Sequence, residues 1–135
     1  MLVTDTSVSA AWLLLDESNS RANDVYEIVE VEGCLVTQHW HLEMRSALLR
    51  AERRGRMNPD EVDMGLHRLA ELTENRIVTD STPNLDTAFS LARTHRLSFY
   101  DALYLELAMR RNMPLATLDS ALDRAAISEG LPALP

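Results

Sequence analysis

Four short apolar segments alternate with longer segments of helical spacing, and this alternation constrains the fold more than any other feature of the chain. The apolar segments are residues 2–4, 34–37, 76–79 and 115–118. Short, mainly apolar segments of this length are typical of the strands of a parallel sheet. Strands separated by helices predict an α/β fold, with a mostly parallel sheet between two helical layers. Residues 131–134 could add a fifth, edge strand, which Pro132 and Pro135 disfavour.

Longer segments with helical spacing fill the intervals between the predicted strands. In one of them, Trp40, Met44 and Ala47 recur three or four residues apart. Another begins at Asn58-Pro59, with the polar cap and first-turn proline that start a helix. We predict seven helices. The first begins near residue 8, the second covers 20–30, the third contains Trp40 and extends up to 55, and the fourth begins at 58. The other three cover 84–94, 98–111 and 119–126.

The length and composition are those of an ordinary globular domain. The chain has 135 residues, of which 46% are hydrophobic and 25% charged, which excludes a disordered protein. We therefore expect a single domain over residues 1–135. Its apolar segments are too short to cross a bilayer, so we expect a cytoplasmic protein without membrane contact. Cys34, the sole cysteine, excludes an internal disulfide and leaves a cysteine-based zinc site without ligands.

The charge distribution limits how the protein can bind nucleic acid. The formal net charge is −8, and all 13 cationic residues are arginine. An acidic surface argues against nonspecific binding of phosphates over the whole molecule. This objection weakens where acids converge on divalent cations, because a bound cation reverses the sign of the local field.

Four acidic residues lie where a carboxylate has both a structural and a catalytic interpretation. Asp5 and Asp119 each follow a predicted strand directly, and each could cap the next helix. Asp101 lies in the first turn of an apolar helix and fits the pattern of a capping box. Glu43 lies on the edge of a helix stripe that should face the core, where Arg45 could pair with it.

Taken together, the four acids can converge on one cleft. In open α/β sheets, ligands bind at the carboxyl ends of the strands, at a topological switch point. Clustered carboxylates raise one another's pKa values unless hard cations compensate. Mg²⁺ or Mn²⁺ fits a set of carboxylate ligands, whereas zinc prefers nitrogen and sulfur. Two such ions could activate a water and stabilise the leaving oxygen of a phosphodiester.

Four sequence motifs occur in order along the chain. They are V-T-D-T-S-V at 3–8 followed by Trp12, W-H-L-E at 40–43 followed by A-L at 47–48, S-F-Y-D-A-L-Y at 98–104 followed by L-A at 107–108, and L-A-T-L-D-S-A-L at 115–122. Each motif is weak alone, and the third is the most specific. In this order and spacing they make the whole chain resemble the PIN-domain ribonucleases, and among them the VapC toxins of toxin–antitoxin pairs.

The resemblance implies a PIN-like fold and a site for Mg²⁺ or Mn²⁺. It implies that the metal-binding and catalytic residues are Asp5, Glu43, Asp101 and Asp119. Ser7 and Thr117 would orient carboxylates or bind a metal-bound water, unless they only cap turns. Asp123 would be an outer acid of the site, or else a solvated helix residue. Ser46 stands where many relatives carry Asn, and its shorter side chain could lower metal affinity or activity.

The resemblance also implies an activity and partners. The protein would be an endoribonuclease that cleaves a structured RNA, inhibits translation and is held inactive by a small VapB-like antitoxin. Homodimers are usual in this family. Apolar residues of the helices at 20–30 and from 58 could line an antitoxin groove, or could pack in the core. The candidate RNA-binding residues are Arg93, Arg96 and Arg45, with a cluster at Arg50, Arg53, Arg54 and Arg56 as the alternative.

The sequence raises three other interpretations. A receiver-type phosphoacceptor domain has a similar length and an acidic Mg²⁺ pocket, but it uses a lysine that this chain lacks. A haloacid-dehalogenase phosphatase would carry a second Asp at the position of Ser7. A binding module that keeps the PIN-like fold without activity is the other possibility, which Ser46 favours and the intact set of four acids opposes.

Overall fold

The computed structural model describes residues 1–14, 16 and 18–135, and a parallel sheet lies at its centre. Its strands are β1 (Leu2–Thr4), β2 (Cys34–Thr37), β3 (Ile77–Asp80) and β4 (Leu115–Ala116), in the spatial order β3-β2-β1-β4. In the register, Leu2 lies beside Cys34 and Val3 beside Leu115. The predicted α/β fold with a parallel sheet is confirmed.

The prediction of a fifth strand at residues 131–134 is wrong. These residues belong to no strand, and the described part of the sheet has four. The physical reason lies in the two prolines of this segment, Pro132 and Pro135, which have no N–H to donate to a neighbouring strand.

The described residues form seven helices, of which six lie between the strands in the sequence and the last follows β4. They are α1 (Thr6–Leu13), α2 (Ser20–Glu32), α3 (Gln38–Arg53), α4 (Pro59–Asn75), α5 (Leu85–His95), α6 (Phe99–Arg111) and α7 (Ser120–Ser128).

Local hydrogen bonds account for the differences from the predicted boundaries. The α1 helix begins earlier than predicted because the Asp5 side chain caps it, accepting from the Val8 N–H. The β4 strand ends two residues early, at Ala116. Beyond it, the Leu118 N–H donates to Ser7 Oγ rather than to a neighbouring strand.

The strand order places the helices on both faces of the sheet. The chain moves outward from β1 through β2 to β3, and then returns to add β4 on the opposite side of β1. Right-handed crossovers in opposite directions lie on opposite faces of a sheet. The packing agrees, since α1 contacts α2, α3 and α4, whereas α6 contacts α5, α7 and three of the strands. The order reverses between β1 and β4, which is therefore the switch point of the sheet.

One hydrophobic core spans the sheet and the helices packed on it. The α6 helix, which the sequence predicts to be apolar, is buried from Ala102 to Ala108. Cys34 is fully buried, and burial raises the pKa of its thiol to about 12. Gly33 enters β2 with φ +73°, and a Cβ there would lie 2.8 Å from the Arg76 carbonyl oxygen, which excludes larger residues.

Most of the apolar residues considered for an antitoxin groove belong to this core. Val25 and Val29 of α2 and Leu69 of α4 are buried, whereas Leu66 of α4 is 40% exposed. Core packing is thus the main role of these two helix faces. Among the helices of the described ranges, none has the length and apolarity needed to cross a membrane.

Candidate active site

A cavity of about 650 Å³ opens at the switch point, beside the carboxyl ends of β1 and β4. Its position is the one expected for a ligand site in an open α/β sheet. The four acids predicted from the sequence all line it, although they come from four separate segments of the chain. They are Asp5, Glu43, Asp101 and Asp119.

Asp5 lies deepest in the site and is held on both carboxylate oxygens. The Ser7 hydroxyl donates to Oδ1 at 2.7 Å and the Thr117 hydroxyl donates to Oδ2 at 2.5 Å. Burial raises the pKa of Asp5 to about 6, against the opposing effect of these hydrogen bonds, and the charge of Asp101 raises it further. The capping role and the cavity position therefore coexist in one side chain.

Glu43 projects from α3 toward α1 and α6. The Tyr104 hydroxyl donates to Glu43 Oε1 at 2.6 Å, and the Thr6 hydroxyl donates to the same oxygen at 3.0 Å. His39 Nε2 lies 3.5 Å from that oxygen. The alternative of an Arg45 ion pair is not formed, because Arg45 donates to the His41 carbonyl oxygen of its own helix at 2.9 Å.

Asp101 and Asp119 complete the acidic lining. The Asp101 N–H donates to Ser98 Oγ at 3.1 Å, so Ser98 caps α6 and the Asp101 carboxylate adjoins the cavity. Partial burial raises the pKa of Asp101, and the charges of Asp119 and Glu43 raise it further. Asp119 caps α7 by accepting from the Leu122 N–H at 2.9 Å.

The chemistry of the cavity fits a divalent cation. Its acidic donors are all carboxylates, which hard cations such as Mg²⁺ and Mn²⁺ prefer. The raised pKa values of Asp5 and Asp101 show that neighbouring acids and burial disfavour negative charge here. Within the described chain, no three His, Cys, Asp or Glu side chains already stand as a metal-binding cluster. Water or small side-chain movements would therefore have to complete the coordination of an ion.

The C-terminal end of α3 and the residues after it add an arginine rim to the cavity, formed by Arg50, Arg54 and Arg56. Arg56 binds both carboxylate oxygens of Asp16 at 2.8 Å. Arg50 and Arg54 are exposed and form no ion pair with a described residue. The cavity thus combines acids from the strand ends with cations from one helix end.

The arginines singled out from the sequence lie outside the cavity lining. The Arg93 guanidinium stacks over the Phe89 ring at 4.8 Å from its centroid. Arg96 ends α5 in a left-handed conformation, and Arg45 bonds to its own helix. The arginines that do line the cavity belong to the alternative cluster and are Arg50, Arg54 and Arg56.

Of the supporting polar residues, two adjoin the acids and one does not. Ser7 and Thr117 both donate to Asp5, and their hydroxyl oxygens lie 3.4 Å apart. Asp123 lies outside the cavity lining and accepts from Arg21 at 3.3 Å. Ser46 is exposed and lines the cavity, but Glu43 bonds to Thr6 and Tyr104 instead.

Three residues around Glu43 were not singled out from the sequence. Thr6 lies between two residues that were, and its signal is its place inside the first motif. Tyr104 lies three residues after Asp101, on the same side of α6, and belongs to the third motif. His39 lies four residues before Glu43, one helical turn away on α3. In each case helical or motif spacing from a candidate acid could have indicated the residue.

Comparison with known sequences gives two matches that cover nearly the whole chain. The sequence model of the PIN domain matches residues 2–128. Ribonuclease VapC3 of Pyrobaculum aerophilum is 31% identical over 133 residues, which are 98% of this chain and 96% of that protein.

Solved structures show the same fold at lower identity. The crystal structure of PAE2754 from Pyrobaculum aerophilum superposes with a TM-score of 0.72 at 19% identity, covering 98% of this chain and 87% of that one. VapC20 of Mycobacterium tuberculosis, described as a toxin that cleaves the sarcin-ricin loop, gives a TM-score of 0.63 at 14% identity. That match covers 98% of this chain and 100% of the other.

Proposed function

The chain belongs to the PIN domain family, among its VapC ribonucleases, and from this membership we propose that the acid-lined cavity is the active site of a toxin endoribonuclease. One observation carries the proposal for the site. Four carboxylates from separate segments line a single cavity at the switch point of the sheet. Burial raises the pKa values of Asp5 and Asp101, and the neighbouring carboxylates raise them further. Such a group of acids has a ready chemical use in phosphodiester hydrolysis.

Nucleases of this family depend on divalent metal ions, and we propose Mg²⁺ or Mn²⁺ for this chain. The ligands would be Asp5, Glu43, Asp101 and Asp119. When bound, the cation would lower the pKa of a water and stabilise charge on the phosphate. Ser7 and Thr117 would hold Asp5 in one orientation, since each donates to a different carboxylate oxygen. Asp123 is not needed for this arrangement, because it pairs with Arg21.

The arginine rim supplies a means of binding the substrate. Arg50 and Arg54 are exposed cations beside a cluster of acids, in a protein with a net charge of −8. Guanidinium groups match the geometry of phosphate oxygens through paired N–H donors. We infer that the two residues bind the RNA backbone on either side of the cleaved phosphodiester. Arg93, Arg96 and Arg45 are poorer candidates because they do not line the cavity.

The name of its VapC relative supports a small antitoxin as the partner that holds the protein inactive. A structured RNA is the proposed substrate, and inhibition of translation the proposed outcome of its cleavage. A VapB-like antitoxin and a homodimer remain predictions. The receiver interpretation is wrong, because receiver domains have the strand order 2-1-3-4-5 and this sheet has β3-β2-β1-β4.

The experiment is cleavage of total bacterial RNA by the purified protein with Mg²⁺, with Mn²⁺ and with EDTA. The test variant is Asp101→Asn, which keeps the size of the side chain. The matched control is Asp63→Asn, at an exposed position of α4. We expect discrete fragments from the wild type and the control in the presence of metal, and none from Asp101→Asn or with EDTA.

Two results would contradict the proposal. Fragments of equal yield in EDTA and in Mg²⁺ would exclude a metal-dependent site. A complete lack of cleavage by the wild type, in every metal and with several RNA preparations, would favour the inactive binding module. In that case Ser46→Asn would be the next variant to assay, since Ser46 is the departure from the family pattern.

A further inference from the structure

Two side chains, one from α1 and one from α6, meet at one carboxylate oxygen of Glu43 on α3. Tyr104 Oη lies 2.6 Å from Oε1 and Thr6 Oγ1 lies 3.0 Å from it. The two hydroxyl oxygens are themselves 3.0 Å apart. The second oxygen, Oε2, has no hydrogen-bond or ion-pair partner in the described part of the chain. Glu43 is thus held on one side only.

The Tyr104 hydroxyl is a fixed donor. Its side chain is 1% exposed, and its ring lies against the His39 ring with the centroids 4.6 Å apart. Its hydroxyl lies 2.6 Å from Glu43 Oε1, and a phenol hydroxyl carries its proton at neutral pH. A buried ring with two hydrogen-bonded neighbours has little freedom to turn away.

A glutamate on a half-exposed helix face would otherwise sample several rotamers. The Glu43 side chain is 38% exposed, so packing alone would not hold its carboxylate in one rotamer. Two short hydrogen bonds to the same oxygen restrict the carboxylate to one position at the cavity. The polar contacts also join the motif around Asp5 to the motif around Asp101, because Thr6 follows the first acid and Tyr104 lies one turn beyond the second.

We propose that Tyr104, assisted by Thr6, is a positioning residue that fixes Glu43 with Oε2 directed to the cavity as a ligand for the divalent cation. This inference rests on the proposed function. It adds to that function a residue that acts through Glu43 rather than on the RNA. Outer hydrogen bonds of this kind change metal affinity by about 10- to 100-fold in other metal sites.

The test variant is Tyr104→Phe, which keeps the buried ring and removes the hydroxyl. Its matched control is Tyr26→Phe, which removes a hydroxyl that accepts from Arg68 at 3.4 Å away from the cavity. The main readout is the Kd for Mn²⁺, measured by isothermal titration calorimetry. We expect Tyr104→Phe to weaken Mn²⁺ binding about 10-fold and Tyr26→Phe to leave it unchanged. In EDTA the two variants should have similar Tm values, since each keeps its ring.

A second measurement separates positioning from general loosening of the site. Tyr104→Phe is placed in the Glu43→Gln background and Mn²⁺ binding is measured again. A residue that acts through Glu43 should have no further effect there, so the two substitutions should be strongly non-additive. Additive effects would show that Tyr104 acts by another route and would overturn the inference.

The outcomes also distinguish this inference from the proposed function. If the wild type binds Mn²⁺ and cleaves RNA while Tyr104→Phe keeps wild-type affinity, the inference fails and the proposed function stands. If the wild type neither binds Mn²⁺ nor cleaves RNA, the proposed function fails and takes the inference with it. If Thr6→Val in the Tyr104→Phe background weakens binding further, the shared role of the two hydroxyls is supported.

Discussion

Two groups of acids lie at the carboxyl edge of the same sheet, and α6 contributes to both. In the first group, defined as the Asp80 cluster, Arg110 bonds to both oxygens of Asp80 at 3.0 and 2.8 Å and to Glu106 at 2.7 Å. Glu106 is 2% exposed, so it needs this partner. Arg110 lowers the pKa of Asp80 below its usual range. These acids are neutralised within the chain.

The second group lines the acidic cavity, where no arginine of the described chain neutralises Asp5 or Asp101. Asp5 is almost as buried as Glu106, yet its partners are neutral hydroxyls and a backbone N–H. Neither Asp5 nor Asp101 forms an ion pair with any described arginine. Their pKa values are raised, whereas that of Asp80 is lowered. This difference indicates that the cavity acids, which have no arginine partner within the described chain, are available to bind an external cation.

The largest expected effect comes from removing one cavity acid. Asp101→Asn should lower the rate of RNA cleavage at least about 1000-fold, because it removes a metal ligand from the reacting centre. The same change should not lower the unfolding free energy in EDTA, since it relieves repulsion by Asp119 and Glu43. Cleavage assays and urea denaturation measure the two effects. A large loss of stability in EDTA would contradict the comparison.

The Asp80 cluster should respond in the opposite way. Arg110→Met should lower the unfolding free energy by about 4 kcal/mol, because Glu106 would lose its only ion pair among the described residues and Asp80 would lose its two short bonds to a guanidinium. Arg111→Met is the control, since Arg111 is 45% exposed and lies 3.9 Å from Asp80, and its loss should cost well under about 1 kcal/mol. Urea denaturation at pH 7 compares the two. Equal losses would show that the cluster is not the stabilising element.

The pH dependence of metal-free stability sharpens the comparison further. The pKa of Asp5 is about 6 in the folded protein and 3.8 for an unperturbed Asp. Folding therefore favours the protonated form, and stability is lost as the pH rises from about 4 to 6. Relative to Asp5→Asn, the wild type should lose about 3 kcal/mol over this interval and no more above it. Urea denaturation in EDTA at several pH values measures this difference, and a constant difference would contradict it.

The smallest expected effect concerns the arginine rim. Arg50→Ala with Arg54→Ala should weaken RNA binding about 10-fold and reduce the slope of log Kd against log salt by about 1.4, for two lost phosphate contacts. The control is Arg93→Ala with Arg96→Ala, outside the cavity lining. Binding is measured in the Asp101→Asn background, where cleavage is prevented. An equal change in both double variants would show that RNA binding is not localised at the rim.

Local pattern was sufficient to predict the strands and the acids that follow them. A buried parallel strand is short and apolar, and the residues that follow it lie at the edge where ligands bind. Position alone therefore indicated Asp5, directly after β1, and Asp119, three residues after β4 ends. The family motifs then supplied Glu43 and Asp101. The same motifs supplied Ser7, two positions after Asp5, and Thr117, two positions before Asp119.

Contacts between distant segments could not be predicted in this way. The bond from Tyr104 to Glu43 joins residues 61 positions apart, and it depends on how α6 packs against α3. The same limit applies to the arginines. Arg93 and Arg96 form a plausible cationic pair by sequence, but it is the end of α3 that lies beside the cavity. The role of Glu106 could not be predicted for the same reason, because it bonds to Asn84, which belongs to another segment, as well as to Arg110 of its own helix.

The most direct test of the central claim is the binding of Mn²⁺ to the wild type and to Asp101→Asn, by isothermal titration calorimetry at pH 7.5. The account predicts saturable binding to the wild type and at least about 10-fold weaker binding to the variant, because the variant has lost one carboxylate of the cavity. No binding to the wild type, or equal affinity for both proteins, would contradict the claim that these acids are held for an external cation.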